Sequence, residues 1–424
     1  MRRWHIILPL LVLLSGLGTA RTFAQEQEQS TEPSGRAELL AAERDKKAAE
    51  ATAPTRSKVE RALYWYDNQY LLAKIFGGWN GLHLAGGDFP AGAGVKLGVG
   101  FTNPFGPTVD PNGPNRPNRI EIDTVAAYST RGYTRAAAAF GVSRLGGAPL
   151  DVRVRGQYFE FPQEDFFGLG QDSQEDDRTS YLHRGTDVGA ALEWKPARLL
   201  DLAGGVSFLS PTIGSGTDTR FPSTETVFNP ATVPGLSAQP DFVRTDASAA
   251  LDWRDNPLHP HAGGRYGVQF ADFRDRDLNR FDFRQVAIDV QQYVALPNRY
   301  RTLALHASAV LTDPYAGQEV PFYYQPTLGG SQELRGFREF RFRDRNRLLM
   351  SAEYRWEASW MLDGALFVDA GKVASKQRDL TLRDLDYSYG IGFRLHSNSA
   401  FVARLDLAFS REGFIPLLRF EHVF

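Results

Sequence analysis

Ala400–Ser410 reads AFVARLDLAFS. On an extended chain Phe401, Ala403, Leu405, Leu407 and Phe409 share one face, and Arg404, Asp406 and Ser410 share the other. Tyr387–Leu395 divides in the same way, with Tyr387, Tyr389, Ile391, Phe393 and Leu395 against Ser388, Gly390, Gly392 and Arg394. In Arg347–Trp356, Leu348, Met350, Ala352, Tyr354 and Trp356 oppose Arg347, Ser351, Glu353 and Arg355, and Asp187–Trp194 and Ile120–Tyr128 follow suit. Alternation alone also suits a soluble β-sandwich. The polar face decides the matter. It mixes Arg, Asp and Glu with glycines, while the apolar face is aromatic at many strand ends. That is the pattern of a transmembrane barrel, apolar toward lipid, polar toward a lumen and aromatic at the interfaces. Several segments reach the roughly 9–11 residues a tilted strand needs to cross. Closure then satisfies every backbone group in lipid, which an open sheet cannot do.

Working outward from these strands, sixteen segments alternate, near 79–87, 93–103, 118–129, 131–142, 149–161, 181–195, 199–209, 241–253, 262–273, 281–296, 299–312, 344–357, 361–371, 386–396, 399–410 and 416–424. The expected fold is all-β, a 16-stranded antiparallel transmembrane barrel over residues 76–424 preceded by a short helical segment. The even count fits bacterial barrels. Short links such as Leu296–Arg299 and Ser397–Ala400 read as periplasmic turns. The stretches 104–117, 162–180, 210–240 and 313–343 read as outer loops.

Composition narrows the function classes. The 424 residues carry 48 Lys+Arg against 50 Asp+Glu, a net charge of −2, and that balance argues against a nucleic-acid partner. Gly 40 and Pro 24 suit many turns rather than a helical bundle. Only the N-terminus approaches an apolar run of roughly 18 residues, so a polytopic helical transporter is out. Residues 1–24 read as a signal peptide, with Arg2 and Arg3 ahead of apolar Ile6–Leu17 and cleavage after Ala20 or Ala24. Cysteine is absent, which removes disulfides, thiolate metal sites and a lipidated N-terminal cysteine. Residues 25–75 are expected to form a periplasmic segment, polar up to Gly35 and helical across Arg36–Glu50. Val59, Leu63, Tyr66 and Tyr70 then make a helical stripe in Ser57–Phe76. Such a stripe packs on its own protein, plugs a pore or lies in a membrane interface, and the sequence does not choose.

The connection Pro314–Arg343 reads PYAGQEVPFYYQPTLGGSQELRGFREFRFR, with arginines at 335, 338, 341 and 343 among aromatics. Within it Leu334-Arg335-Gly336-Phe337 resembles the (V/L)-R-G-(F/Y) signature of the outer-membrane protein assembly-factor superfamily. That superfamily includes BamA/TamA-like proteins, two-partner secretion transporters and bacterial surface antigen proteins. There the motif sits in the sixth outer loop, between strands eleven and twelve of sixteen, where the strand count above also places it. Phe367-Val368-Asp369-Ala370-Gly371 resembles the F-x-D-x-G sequence on the family's strand thirteen, with Phe367, Asp369 and Gly371 at the motif positions. The turn Asp252–Pro260 looks like the D-x-R-D-x-P stretch between strands eight and nine, and Phe166-Phe167-Gly168-Leu169-Gly170 is similar to a surface-antigen stretch. The chain ends on Phe420 and Phe424, which resemble the C-terminal signal of outer-membrane barrels, although His422 stands where a ring is usual.

The resemblance implies that Arg335 folds into the lumen. A partly desolvated guanidinium needs a bidentate acceptor, for which Asp369 and Glu353 are the expected partners. Gly336 would let the backbone turn close to the wall, and Phe337 would pack on the loop itself. The roughly 50 residues between signal and barrel are too few for the POTRA domains usual in the family, so a POTRA-less member is expected. The resemblance implies a cell outer-membrane protein with a periplasmic N-terminus. It would assist insertion or translocation of proteins, with lipids as a second candidate cargo. Its partners would be outer-membrane lipids, unfolded outer-membrane or secreted proteins, and a periplasmic accessory protein. The implied gate is the seam between the first and last strands, which Gly86 and Gly87 would weaken. The alternatives are a passive pore and a structural surface antigen. No enzyme signature, cofactor motif or metal-ligand spacing stands out, and His83, His183 and His306 are expected to be satisfied or exposed. The acidic run Asp172–Asp177 lacks a calcium-loop pattern and reads as a solvated outer loop or a contact to bridged lipid headgroups.

Overall fold

The computed structural model describes residues 81–86, 89–90, 92–102, 119–257, 259–297, 301–359, 362–396 and 401–419. The signal peptide, the segment 25–75, Gly87, loop 104–117, Phe420 and Phe424 lie outside these residues.

Sixteen strands follow one another in a single antiparallel sheet, each bonded to its sequence neighbours. They are β1 (Leu82–Ala85), β2 (Lys96–Thr102), β3 (Arg119–Ser129), β4 (Thr134–Ser143), β5 (Leu150–Phe166), β6 (Thr179–Ala197), β7 (Leu200–Ser215) and β8 (Phe242–Asp252). Then come β9 (Gly263–Asp275), β10 (Phe283–Ala295), β11 (Arg301–Pro314), β12 (Asn346–Ser359), β13 (Leu362–Ala374), β14 (Asp386–His396), β15 (Phe401–Ser410) and β16 (Gly413–Arg419). This is a β-barrel fold with up-and-down order, in which, among the described residues, each strand pairs antiparallel with its sequence neighbours and no crossover occurs.

The burial pattern is inside out relative to a soluble sheet. On β13 Leu366 and Val368 are 51% and 47% exposed, whereas Asp369 between Val368 and Ala370 is 0% exposed. On β15 Leu405 and Phe409 are exposed while Arg404 and Asp406 are buried. A sandwich would bury the leucines and solvate the charges, so the apolar face belongs against hydrocarbon. Buried apolar clusters gather instead at the long-loop rim. Phe166, Tyr181, Ile213, Val233, Leu236, Phe322 and Tyr323 form one, and Leu328, Leu334, Phe337, Phe342, Leu349 and Val373 another.

Several boundaries depart from the sequence reading. β5 and β6 run to Phe166 and from Thr179, and β7 reaches Ser215, so both ends of 162–180 and the start of 210–240 are strand rather than loop, while 167–178 remain a connection. For β5 a register shift between Phe161 and Glu164 explains this. The irregularity around Pro162 breaks the period of two, and the alternation resumes on the other parity. The first strand is only the four residues Leu82–Ala85, shorter than the segment 79–87.

Candidate functional site

The connection from β11 to β12 (loop six below) does not stay at the rim. Thr327–Leu328 pairs with Phe342–Arg343, closing residues 329–341 into a tongue. Gly329 and Gly330, at φ +123° and +88°, turn its entry in a way a side chain would oppose. Within the tip the Phe337 N–H donates to the Leu334 carbonyl at 3.1 Å, and the Gly330 N–H to the Phe337 carbonyl at 3.1 Å. The motif Leu334–Phe337 is thereby presented as one tight turn.

The wall it meets is set by strand register. Ser351 of β12 lies opposite Asp369 of β13, Asp369 opposite Ser388 of β14, and Ser388 opposite Ser410 of β15. One row of small polar side chains therefore crosses four strands, and the tip lies along it. Arg335 donates from Nε and Nη2 to the two oxygens of Asp369 at 2.7 and 2.6 Å, a bidentate fork, and from Nη2 to Ser351 Oγ at 3.3 Å. Its Nη1 donates to Glu353, and its Cζ sits 3.6 Å from the ring centroid of Phe367. The Gly336 carbonyl accepts from Ser410 Oγ at 2.6 Å. A Cβ at Gly336 would come within 2.7 Å of both Ser388 Cβ and Ser410 Cβ, so the contact requires glycine. Leu334 and Phe337 are buried in the cluster with Leu328, Phe342, Leu349 and Val373, so Phe337 packs on the wall as well as on its own loop. Gly371 leaves room for Leu328, whose Cδ2 would lie 2.7 Å from a Cβ there. Phe367, Asp369 and Gly371 thus supply a stacking face, a fork acceptor and a gap.

Sequence reasoning missed how far the charge network runs. Glu353 also accepts from Arg355 Nε at 2.7 Å and Arg394 Nη2 at 2.9 Å, and Arg394 Nη1 donates to Asp406 at 2.6 Å. Arg404 lies 3.1 Å from Asp406 and donates to the Ser331 carbonyl of the tongue at 2.8 Å. Four guanidiniums meet three carboxylates, all nearly or fully buried. Their signal was present, since Arg394, Arg404 and Asp406 stand on the polar faces of β14 and β15. Desolvating so many charges is favourable only with near-complete pairing. The arrangement fixes the geometry of the tongue against the wall.

The turn between β8 and β9 is built locally. Arg254 forks onto Asp252 at 3.0 and 2.6 Å, and Asp255 Oδ1 accepts the N–H groups of Asn256, His261 and Ala262. His259 reaches Asp363 at the foot of β13 at 3.0 Å. Gly168 and Gly170 of the surface-antigen stretch both take φ +95°, and the Gly170 N–H donates to the Arg343 carbonyl at 2.8 Å. His183 and His306 each have an acidic neighbour, Glu164 at 3.1 Å and Asp289 at 2.7 Å, which strand parity had not revealed.

The Omp85 superfamily domain matches residues 118–413, more than half of the sequence. The chain belongs to the Omp85 superfamily. Among solved structures it is similar to BamA from Haemophilus ducreyi lacking POTRA domains 1–3, with TM-score 0.56 and 14% identity over 78% of this chain and 69% of that one. It also resembles CdiB from Acinetobacter baumannii (TM-score 0.46, 11% identity, 76% of this chain and 55% of that one). CdiB from Escherichia coli gives TM-score 0.49 and 13% identity, over 80% and 60% of the two chains. The likeness to BamA carries the barrel fold, and the superfamily is one of outer-membrane barrels concerned with protein insertion and transport.

Proposed function

We propose that this Omp85 barrel assists the insertion or translocation of proteins at the outer membrane, with its first and last strands as the working edge. One observation carries the reading. Among the described residues β1 pairs with β2 through only four residues, with Gly81 and Gly86 on either side outside the strand, whereas β10 and β11 share thirteen. The described sheet is thus weakest at its first strand. Loop six, by contrast, grips β12–β15 through Arg335, Glu353, Asp369 and Ser410. A scaffold stiff in its C-terminal half and loosely bonded at its first strand can yield at the edge between first and last strands, where a client strand would add. The mechanism needs no nucleotide. In this reading the N-terminus faces the periplasm after signal cleavage, an accessory periplasmic protein delivers clients, and outer-membrane lipids surround the edge.

A second reading, the passive pore, is favoured by the inner wall of β3–β6, where the Arg153 and Arg155 side chains are 48% and 52% exposed. Folding of a urea-unfolded barrel into liposomes containing this protein separates the two. Acceleration over empty liposomes, lost in Arg335→Ala that still shows heat-modifiable migration, supports insertion. No acceleration together with steady single-channel conductance supports the pore.

A further inference from the structure

The connection between β5 and β6, residues 167–178, reaches strands far from its own in the sheet order. Gln171 accepts from the Val373 N–H of β13 at 2.8 Å and donates to Asp386 of β14. Gly170 bonds to Arg343, and Glu175 pairs with Arg338 at 3.0 Å. The segment is a strap fastened across the long-loop rim.

One fastener differs from the rest. Arg341 is 1% exposed, and its guanidinium is divided between two elements. Nη1 and Nη2 donate to Ser173 Oγ at 2.9 Å and the Ser173 carbonyl at 2.7 Å, both on the strap. Nε donates at 2.7 Å to Glu412, in the turn between β15 and β16. The rings of Phe167 and Phe342, with centroids 5.1 and 4.5 Å from Cζ, help seal it from water. We propose that Arg341 is a latch that couples the strap to the terminal hairpin β15–β16, so that displacing the strap from outside loosens the last strand.

The physical basis is shared desolvation. A buried guanidinium held by partners on two elements loses part of its compensation when either element leaves, and its hold on the other weakens. Strap and hairpin therefore tend to be released together. Lysine cannot substitute, because a point charge lacks the fork that serves both sides at once. Arg341 is thus a positioning residue, acting through the hairpin. The inference rests on the proposed role of the chain's last strand.

The native chain has no cysteine, so a single Ile415→Cys on β16 gives a clean reporter. Its labelling by a membrane-impermeant maleimide is followed on the full chain in liposomes. Gln171→Ala loosens the strap at a point away from Arg341. Because the Gln171 partner Asp386 also accepts from Arg411 of the β15–β16 turn, every arm carries Arg411→Gln, which cuts that separate link. Gln171→Ala is expected to speed labelling by about tenfold when Arg341 is present, and by less than about twofold in Arg341→Gln, whose own labelling is already fast. Arg341→Lys should behave like Arg341→Gln. An equal effect of Gln171→Ala in both backgrounds, or none in either, overturns the latch. If Arg341→Gln does not fold, Glu412→Gln cuts only the hairpin side and takes its place. Client folding is measured on the same liposomes. Coupled labelling without client acceleration would leave the latch standing and remove the insertion role.

Discussion

Two stretches of the inner wall carry the same kinds of side chain in different surroundings. On β12–β15 Glu353, Asp369, Arg404 and Asp406 are fully buried. On β3–β6 the Glu121 and Asp187 side chains are 22% and 12% exposed, and their partners Arg153 and Arg155 about half exposed. Strand parity points all of them inward. What differs is the tongue of loop six, which covers the first wall and displaces water from it. Parity decides where a charge points, and a loop decides whether that charge is desolvated. On the covered wall Arg335 therefore needs a two-point fork on Asp369 plus a second carboxylate, whereas Arg153 meets Glu121 at one contact of 3.0 Å.

The largest expected effect follows from that contrast. Asp369→Ala leaves Arg335 buried with its fork empty, which costs about 3–5 kcal/mol. Glu121→Ala, on the open wall, costs less than about 1 kcal/mol. Denaturant unfolding of the barrel in detergent compares them directly. Equal losses would mean that the two walls do not differ in solvation, and the comparison would fail.

The fold was legible because lipid and lumen impose a strict period of two, and Ala403–Ser410 shows it without interruption. Legibility ended where the period broke. At Pro162 a register shift hid the extension of β5, and the segment looked like loop. At the site, the motif residues Arg335, Asp369 and Glu353 could be named from the resemblance. Ser351, Ser388 and Ser410 could not, because their row exists only once four strands are in register. The same limit hid Arg341, whose partners Ser173 and Glu412 lie 168 and 71 residues away in sequence.

A smaller effect tests how closely the tongue meets the covered wall. Gly336→Ala places a methyl within 2.7 Å of two serine Cβ atoms and 2.9 Å of the Phe409 carbonyl. It should cost about 1–3 kcal/mol by overpacking. Ser410→Gly removes one of the two serine contacts, although it also gives up the bond to the Gly336 carbonyl. In the double variant the Gly336→Ala penalty should therefore shrink, so that the double variant costs less than the sum of the two singles. Strict additivity would show that the tongue stands off the wall and that its burial has another cause.

The smallest expected effect concerns the proton on Glu339, on the far side of the tongue. Its carboxylate is 3.6 Å from Arg419 of β16, and one of its oxygens has no hydrogen-bond partner. Burial pushes its pKa up from 4.5 to about 7, more than Arg419 pulls it down, and nearby Glu333 adds to the rise. The folded chain thus keeps a proton that the unfolded chain has lost between these values. Stability from this group is fullest below about pH 4.5 and is lost as pH rises through about 7. With the side chain still 28% exposed, the loss should be about 1–2 kcal/mol. Unfolding midpoints at pH 5 and pH 8 should therefore fall in the wild type by more than in Glu339→Gln, and the difference between the two slopes isolates this group from the histidines. Matching slopes would place Glu339 in water, and the covered region would then end at the row of Asp369 rather than extend to the last strand.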